Sequence, residues 1–159
     1  MTDQSALIDT MTGLVIFEVS EQEFCADIRH ISAIINPLEL NLKDNLQSDI
    51  EKRIHINNIS IPLIPFNKFY GIEAKLKGDD QRILIVEPDD ILFGFYVDKV
   101  KEIFTMSREF KDKLTFSSTK EKEYLAGIIN YEGRTLYLPD FEQIVETQNN
   151  FREHPGYMR

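Results

Sequence analysis

The residues able to do chemistry are few and scattered. Asp89 and Asp90 stand side by side, and paired carboxylates are the usual equipment of general acid–base catalysis. Here they follow Glu87-Pro88, and that cluster is a turn signal, because proline presets φ and aspartate bonds its own backbone. In a turn, water solvates both carboxylates and nothing drives their pKa values apart. A β-barrel hydrolase built on Asp89 or Asp90 is the one enzyme reading with named residues, and turn chemistry outweighs it. Glu18 and Glu87 read as solvent-facing or strand-capping groups. His30, His55 and His154 share no i,i+4 spacing and no neighbouring cysteine, which argues against a metal site. Cys25 is the single cysteine; it lies in an apolar run with no base nearby, so it reads as a packed hydrophobe. The glycines lie singly, none in a phosphate loop, and no serine sits in a nucleophile elbow. No catalytic residue, metal or cofactor is expected.

The elements behind these residues are more informative. In residues 83–104 an apolar run, Ile83-Leu84-Ile85-Val86, meets the turn; then Phe93, Phe95 and Val97 alternate with Gly94, Tyr96 and Asp98. Alternation at period two is the mark of a β-hairpin with a buried face. Residues 14–35 repeat the pattern without a gap at an offset of 69, so that Ile16 falls on Ile85, Phe24 on Phe93 and Ile34 on Ile103. Ile28 falls on Val97 and Ile31 on Val100. Self-similarity at a fixed offset implies two halves of one β architecture, sharing an interface or exchanging strands. Past each hairpin the apolar spacing becomes three: Ile28, Ile31, Ile34 and Val97, Val100, Ile103. That fits either a short helix or a bulged strand, and periodicity does not separate them.

Elsewhere residues 1–13 read as a loose lead-in and 148–159 as a frayed tail. A short helix is expected in 44–52. Two strands are expected around an Asn57-Asn58 turn, the second weakened by Pro62 and Pro65. A helical turn is expected at 66–70. Residues 105–122 read as loop. Strands at 124–130 and 134–138 precede a closing helix capped by Asp140. Residues 136–141 resemble 61–66 at an offset of 75, which sets Gly133 on Asn58. The 159 residues carry a net charge of −9, which opposes non-specific nucleic-acid binding and adhesion to anionic membrane. With no apolar leader or membrane-length run, the chain is expected in the cytoplasm.

Several segments together resemble the CheW-like adaptor family of bacterial chemotaxis. They are Val15-Ile16-Phe17, then Phe24-Cys25-Ala26-Asp27-Ile28 with Ile31 and Ile34, then Ile61-Pro62-Leu63-Ile64-Pro65-Phe66. Ile83-Leu84-Ile85-Val86 follows, then Gly94-Phe95-Tyr96-Val97-Asp98-Lys99-Val100, and Tyr124-Leu125-Ala126-Gly127 leading to Phe141. The resemblance implies a mostly β fold of two five-stranded SH3-like barrels, roughly 14–82 and 83–147, with one or two short helices. It also implies a non-enzymatic adaptor joining chemoreceptor tips to the CheW-like regulatory domain of a histidine kinase. Ile31, Ile34, Asn57, Asn58, Val97 and Val100 are the expected partner-binding residues. One departure stands out. Where the family commonly carries Asn-Leu-Arg-Gly before its proline strand, this chain has His55-Ile56-Asn57-Asn58. Receptor contact is thereby put in question, and a divergent paralogue that binds kinase but not typical receptors is the alternative.

Overall fold

Leu14 and Ile16 point one way along their strand, Phe17 and Val19 the other, and all four are buried. The same holds for Ile83 and Ile85 against Leu84 and Val86. Strands without a solvent face read as near-continuous apolar runs, and these two must be enclosed on both sides. The computed structural model describes residues 7–39, 53–73, 78–118 and 122–153, with side chains as far as Gln148. Its strands are β1 (Gly13–Val19), β2 (Gln22–Asp27), β3 (Ile31–Ile35), β4 (Arg53–Ile56), β5 (Ile59–Pro62), β6 (Arg82–Val86), β7 (Phe93–Val97), β8 (Lys99–Thr105), β9 (Leu114–Ser117), β10 (Leu125–Tyr131) and β11 (Arg134–Pro139). Its helices are α1 (Phe66–Phe69), α2 (Arg108–Lys111) and α3 (Phe141–Glu153).

Pairing sorts the strands into three sheets, β8-β1-β2-β11-β10-β9, β3-β6-β7 and β4-β5. The six-stranded sheet wraps one core, built from Leu14, Ile16, Cys25, Leu114, Ile129 and Leu136. The other two sheets enclose a smaller core of Ile54, Ile61, Leu63, Ile83 and Ile85. Among the described residues neither unit closes completely by backbone pairing, and the strand count is six and five rather than five and five. The units are also not sequential halves. β3 leaves the first hairpin to pair with β6, and β8 leaves the second to pair with β1. A single cut near residue 82 therefore does not separate them.

Between the units lies a third core, holding Phe17, Phe24, Phe66, Phe93, Phe95 and Phe141. The Phe66 and Phe95 rings stack at 4.2 Å. α3 closes it with Phe141, Ile144 and Val145, capped by Asp140 Oδ1 accepting from the Gln143 N–H at 3.1 Å. Both repeats turn alike: Ser20-Glu21 and Asp89-Asp90 link the leading hairpins, all four at positive φ. Asn57-Asn58 and Glu132-Gly133, also at positive φ, link the later hairpins.

Three expectations are corrected. Residues 7–13 are not a loose lead-in: residues 7–10 are helical, Ile8 and Met11 are buried on the larger core, and β1 begins at Gly13. Residues 105–122 hold α2 and β9, whose Leu114 and Phe116 face that core. α3 continues to Glu153, past the point where fraying was expected. The helix expected in 44–52 lies outside the described residues.

At the mouth of the larger unit Arg134 reaches Glu23 at 2.8 Å and Glu102 at 2.6 Å, while Lys101 reaches Glu23 at 2.9 Å. The Arg134 hydrogen bond, helped by Lys101 and opposed by burial, pulls the Glu23 carboxyl down from 4.5 to about 2. A carboxyl depressed on folding stabilises above its unfolded pKa and loses that contribution as pH falls toward the folded one. Urea titrations at about pH 6 and about pH 3 should therefore show a larger acid loss for wild type than for Glu23→Gln.

Candidate docking surface

Of the residues singled out for binding, β3 carries Ile31 and Ile34 and β8 carries Val100, and a bulge in each strand decides where they point. Along β3, Ile31 lies opposite Val86 and Ile34 opposite Leu84, with a register slip after Ile31. Val86 and Leu84 share a face, so Ile31 and Ile34 share one too despite being three apart. Along β8, Val100 lies opposite Phe17 and Ile103 opposite Val15, again with a slip. The spacing of three is thus a bulged strand in both repeats, entered in the first through a 3-10 turn at Ile28–His30. The extra residues correspond under the offset of 69, and so do the carboxylates they reach. Ser32 Oγ donates to Glu87 at 3.4 Å and Lys101 Nζ lies 3.6 Å from Glu18.

The bulges turn both stripes toward the shared core, and the stripes outrun it. Ile31 and Val100 are half-buried against that core. Ile34 and Ile103, further along the same faces, are 40% and 54% exposed. Ile28 adds a third exposed isoleucine at 38%. Apolar surface continuous with a core but left open is a mark of protein docking.

Of the expected binding residues, Ile31 and Val100 pack against the shared core, and Ile34 is exposed further along β3. Val97 is corrected: it is 0% exposed within that core, because it ends β7 on the inward face with Phe93 and Phe95. Asn57 and Asn58 sit apart and exposed, at the tip of the β4–β5 hairpin beside exposed Ile59. Ile28 and Ile103 are exposed isoleucines that the sequence reading did not single out. The alignment of Ile103 on Ile34 was the signal for one; nothing in the pattern marked Ile28, whose counterpart Val97 is buried.

The Gly-Phe-Tyr-Val-Asp-Lys-Val segment has structural duties. A Cβ on Gly94 would come 2.8 Å from Ile85 Cδ1 and 3.1 Å from Leu63 Cδ2. Asp98 Oδ2 accepts from the Ser20 N–H at 2.6 Å, tying one repeat's corner to the other's hairpin turn. Asp89 and Asp90 are exposed turn residues at φ 52° and 62°. The Asp89 charge pushes the neighbouring Glu142 carboxyl above its usual value. Burial pushes the Cys25 thiol up and leaves it inert. Among the described residues no group of three His, Cys, Asp or Glu is placed to hold a metal, and no helix is long and apolar enough to cross a membrane.

Two β-repeats that exchange strands and present open apolar stripes define a protein-binding module. The CheW-like domain model matches residues 13–149, and the chain belongs to the CheW-like family of non-enzymatic scaffold and adaptor proteins of chemotaxis. It is 22% identical over 136 residues to the chemotaxis protein CheW of Rhizobium meliloti, covering 85% of this chain and 88% of that one. With the chemotaxis protein CheW of Helicobacter pylori the identity is 20% over 130 residues, 82% and 79% of the two chains. The crystal structure of the scaffolding protein TtCheW from Thermoanaerobacter tengcongensis superposes with a TM-score of 0.66 at 19% identity, covering 82% of this chain and 90% of that chain.

Open stripe positions and the buried Val97 should differ in their response to substitution. Ile34→Ser and Ile103→Ser should change unfolding free energy by no more than about 0.5 kcal/mol in chemical denaturation. Val97→Ala should cost ~2 kcal/mol.

Proposed function

We propose that the protein is a cytoplasmic signalling adaptor that links a chemoreceptor tip to the CheW-like regulatory domain of a histidine kinase. The observation that carries this reading is the pair of stripes, Ile31–Ile34 and Val100–Ile103, running from the shared core into solvent at equivalent positions. A partner covering them removes apolar surface from water at about 25 cal/mol per Å² without reorganising the core. Because the stripes belong to the exchanged strands, a partner held there touches both units at once. Such a contact lets receptor state bias kinase state through differential affinity, with no bond made or broken. Family membership and the relatives named as chemotaxis proteins support the reading.

Calorimetry with the regulatory domain of a kinase from the same organism tests it. Binding in the micromolar range is expected, and Ile34→Asp should weaken it at least tenfold. No heat of binding at about 100 μM, two decades above a ~1 μM interaction, would count against the adaptor.

A second reading, a divergent member that binds kinase but not typical receptors, is favoured by the β4–β5 turn. Asn57 and Asn58 sit at φ 50° and 66°, the left-handed region that asparagine tolerates best after glycine. The pair completes the hairpin without the arginine and glycine that the resemblance associates with receptor coupling. On this reading Asn57→Arg with Asn58→Gly creates receptor-tip binding and leaves kinase affinity unchanged. An arginine at left-handed φ costs about 1 kcal/mol, which glycine at the next position partly relieves, so the double variant stays folded. Receptor binding equal before and after the change would favour the first reading.

A further inference from the structure

We infer that Tyr124 is a clasp that holds α3 down over the shared core, and that α3 opens as a unit when the clasp releases while every strand stays paired. Among the described residues, eight that are not glycine take left-handed backbone. Seven of them lie in the turns of the four hairpins, where that conformation closes the loop. Tyr124, at φ 67°, is the eighth: it stands just before β10, with no hairpin to demand it, and it is bulky. A residue held in such a region persists when its surroundings over-determine it.

The anchors converge on its backbone. The Tyr124 N–H donates to Gln143 Oε1 at 2.6 Å, and its carbonyl accepts from the Asp140 N–H at 2.8 Å and from the Tyr70 hydroxyl at 2.7 Å. Thr147 Oγ1 lies 3.5 Å from its hydroxyl. Asp140, Gln143 and Thr147 on the α3 side and Tyr70, which ends α1, thus meet at one residue. Burial and the Asp140 charge push the Tyr70 phenol up, which keeps it a donor. Left-handed backbone disfavours a residue with a side chain by roughly five- to thirtyfold, and one hydrogen bond returns about fivefold. A single bond therefore does not hold Tyr124 in place, whereas the set does. Losing one releases the others, and that separates a clasp from a row of independent bonds.

Release has somewhere to go. A cavity of about 450 Å³ adjoins the clasp, with Phe24, Phe69, Tyr70, Tyr124 and Tyr137 in its wall. A close-packed interior would block the Tyr124 ring; this volume admits it. α3 belongs to no sheet and meets the shared core through Phe141, Ile144 and Val145. The Asp89 charge, which raises the Glu142 carboxyl, opposes closure. Lifting α3 breaks no strand pairing and uncovers Phe93 and Phe95, whose rings lie 6.2 and 5.9 Å from that of Phe141.

Native-state amide exchange, read by NMR on the intact chain, tests this. Ile129→Val weakens the larger core, which holds no described residue of α3. It should speed exchange several-fold at Ile16 and Ile85, which need global unfolding, and leave Ile144 and Val145 unchanged. Tyr70→Phe keeps its ring against Phe24 and Phe66 and removes one donor; it should speed Ile144 and Val145 about fivefold. Gln143→Ala removes the acceptor of the Tyr124 N–H and should do the same. The double variant should exchange no faster there than the faster single one, since either loss frees Tyr124. Effects that multiply in the double variant mean independent bonds and overturn the clasp. Ile144 and Val145 speeding with Ile16 in Ile129→Val means that α3 leaves only with the whole fold, and overturns the opening. Unchanged exchange at Ile144 and Val145 in both single variants overturns the two together.

Discussion

The burial of β1 and β6 on both faces is the constraint from which the rest of the structure follows. Side chains alternate across a strand, so each of these strands needs two apolar environments. The unit it belongs to supplies one, and only the other repeat supplies the second. Separated, the units would open Phe17 and Val19 on one side and Leu84 and Val86 on the other. At about 1.5–3 kcal/mol for each large side chain, that loss rivals the whole stability of an ordinary domain. The shared phenylalanine core is therefore the condition for either unit to exist, and α3 completes it.

Strand exchange follows, and the open apolar stripes follow from the exchange. A strand that leaves one hairpin to pair with the other must pass alongside the shared core. β3 and β8 do so, and each ends its sheet. The bulges at Ser32 and Lys101 turn the later isoleucines back to the core face just where the core runs out. Edge strands with open isoleucines invite indiscriminate pairing. Exposed Lys99 and Lys101 on β8 oppose it, since a charged edge disfavours a second apolar strand.

Much of this was legible in residue order. Period-two alternation marked the hairpins. The offset of 69 aligned positions that share environments, Ile16 with Ile85 and Phe24 with Phe93, each pair facing its own unit's core or the shared one. Periodicity could not reveal the exchange, because β3 leaves its own hairpin for a strand 50 residues away, between Ile34 and Leu84. Nor could it separate helix from bulge at spacing three, since a bulge shows only in the register of the partner strand. Val97 is buried because it ends β7 on the same inward face as Phe93 and Phe95, before the bulge that carries the later positions of its stripe along β8. β9 escaped notice because four residues with two apolar ones do not rise above loop composition.

The carboxylates make the remaining argument about what kind of protein this is. Glu23 is held by Arg134 and Lys101, Asp27 by Arg29 and Thr12, Asp98 by the Ser20 N–H, and Asp140 caps α3. Each fixes backbone or closes a charge pair. A catalytic carboxylate needs a proton to exchange near working pH. Two of these four, Glu23 and Asp27, are instead held below the ordinary carboxylate range by those partners. Fixed geometry is what a scaffold requires, because a joint between two partners transmits a bias only as far as it does not bend.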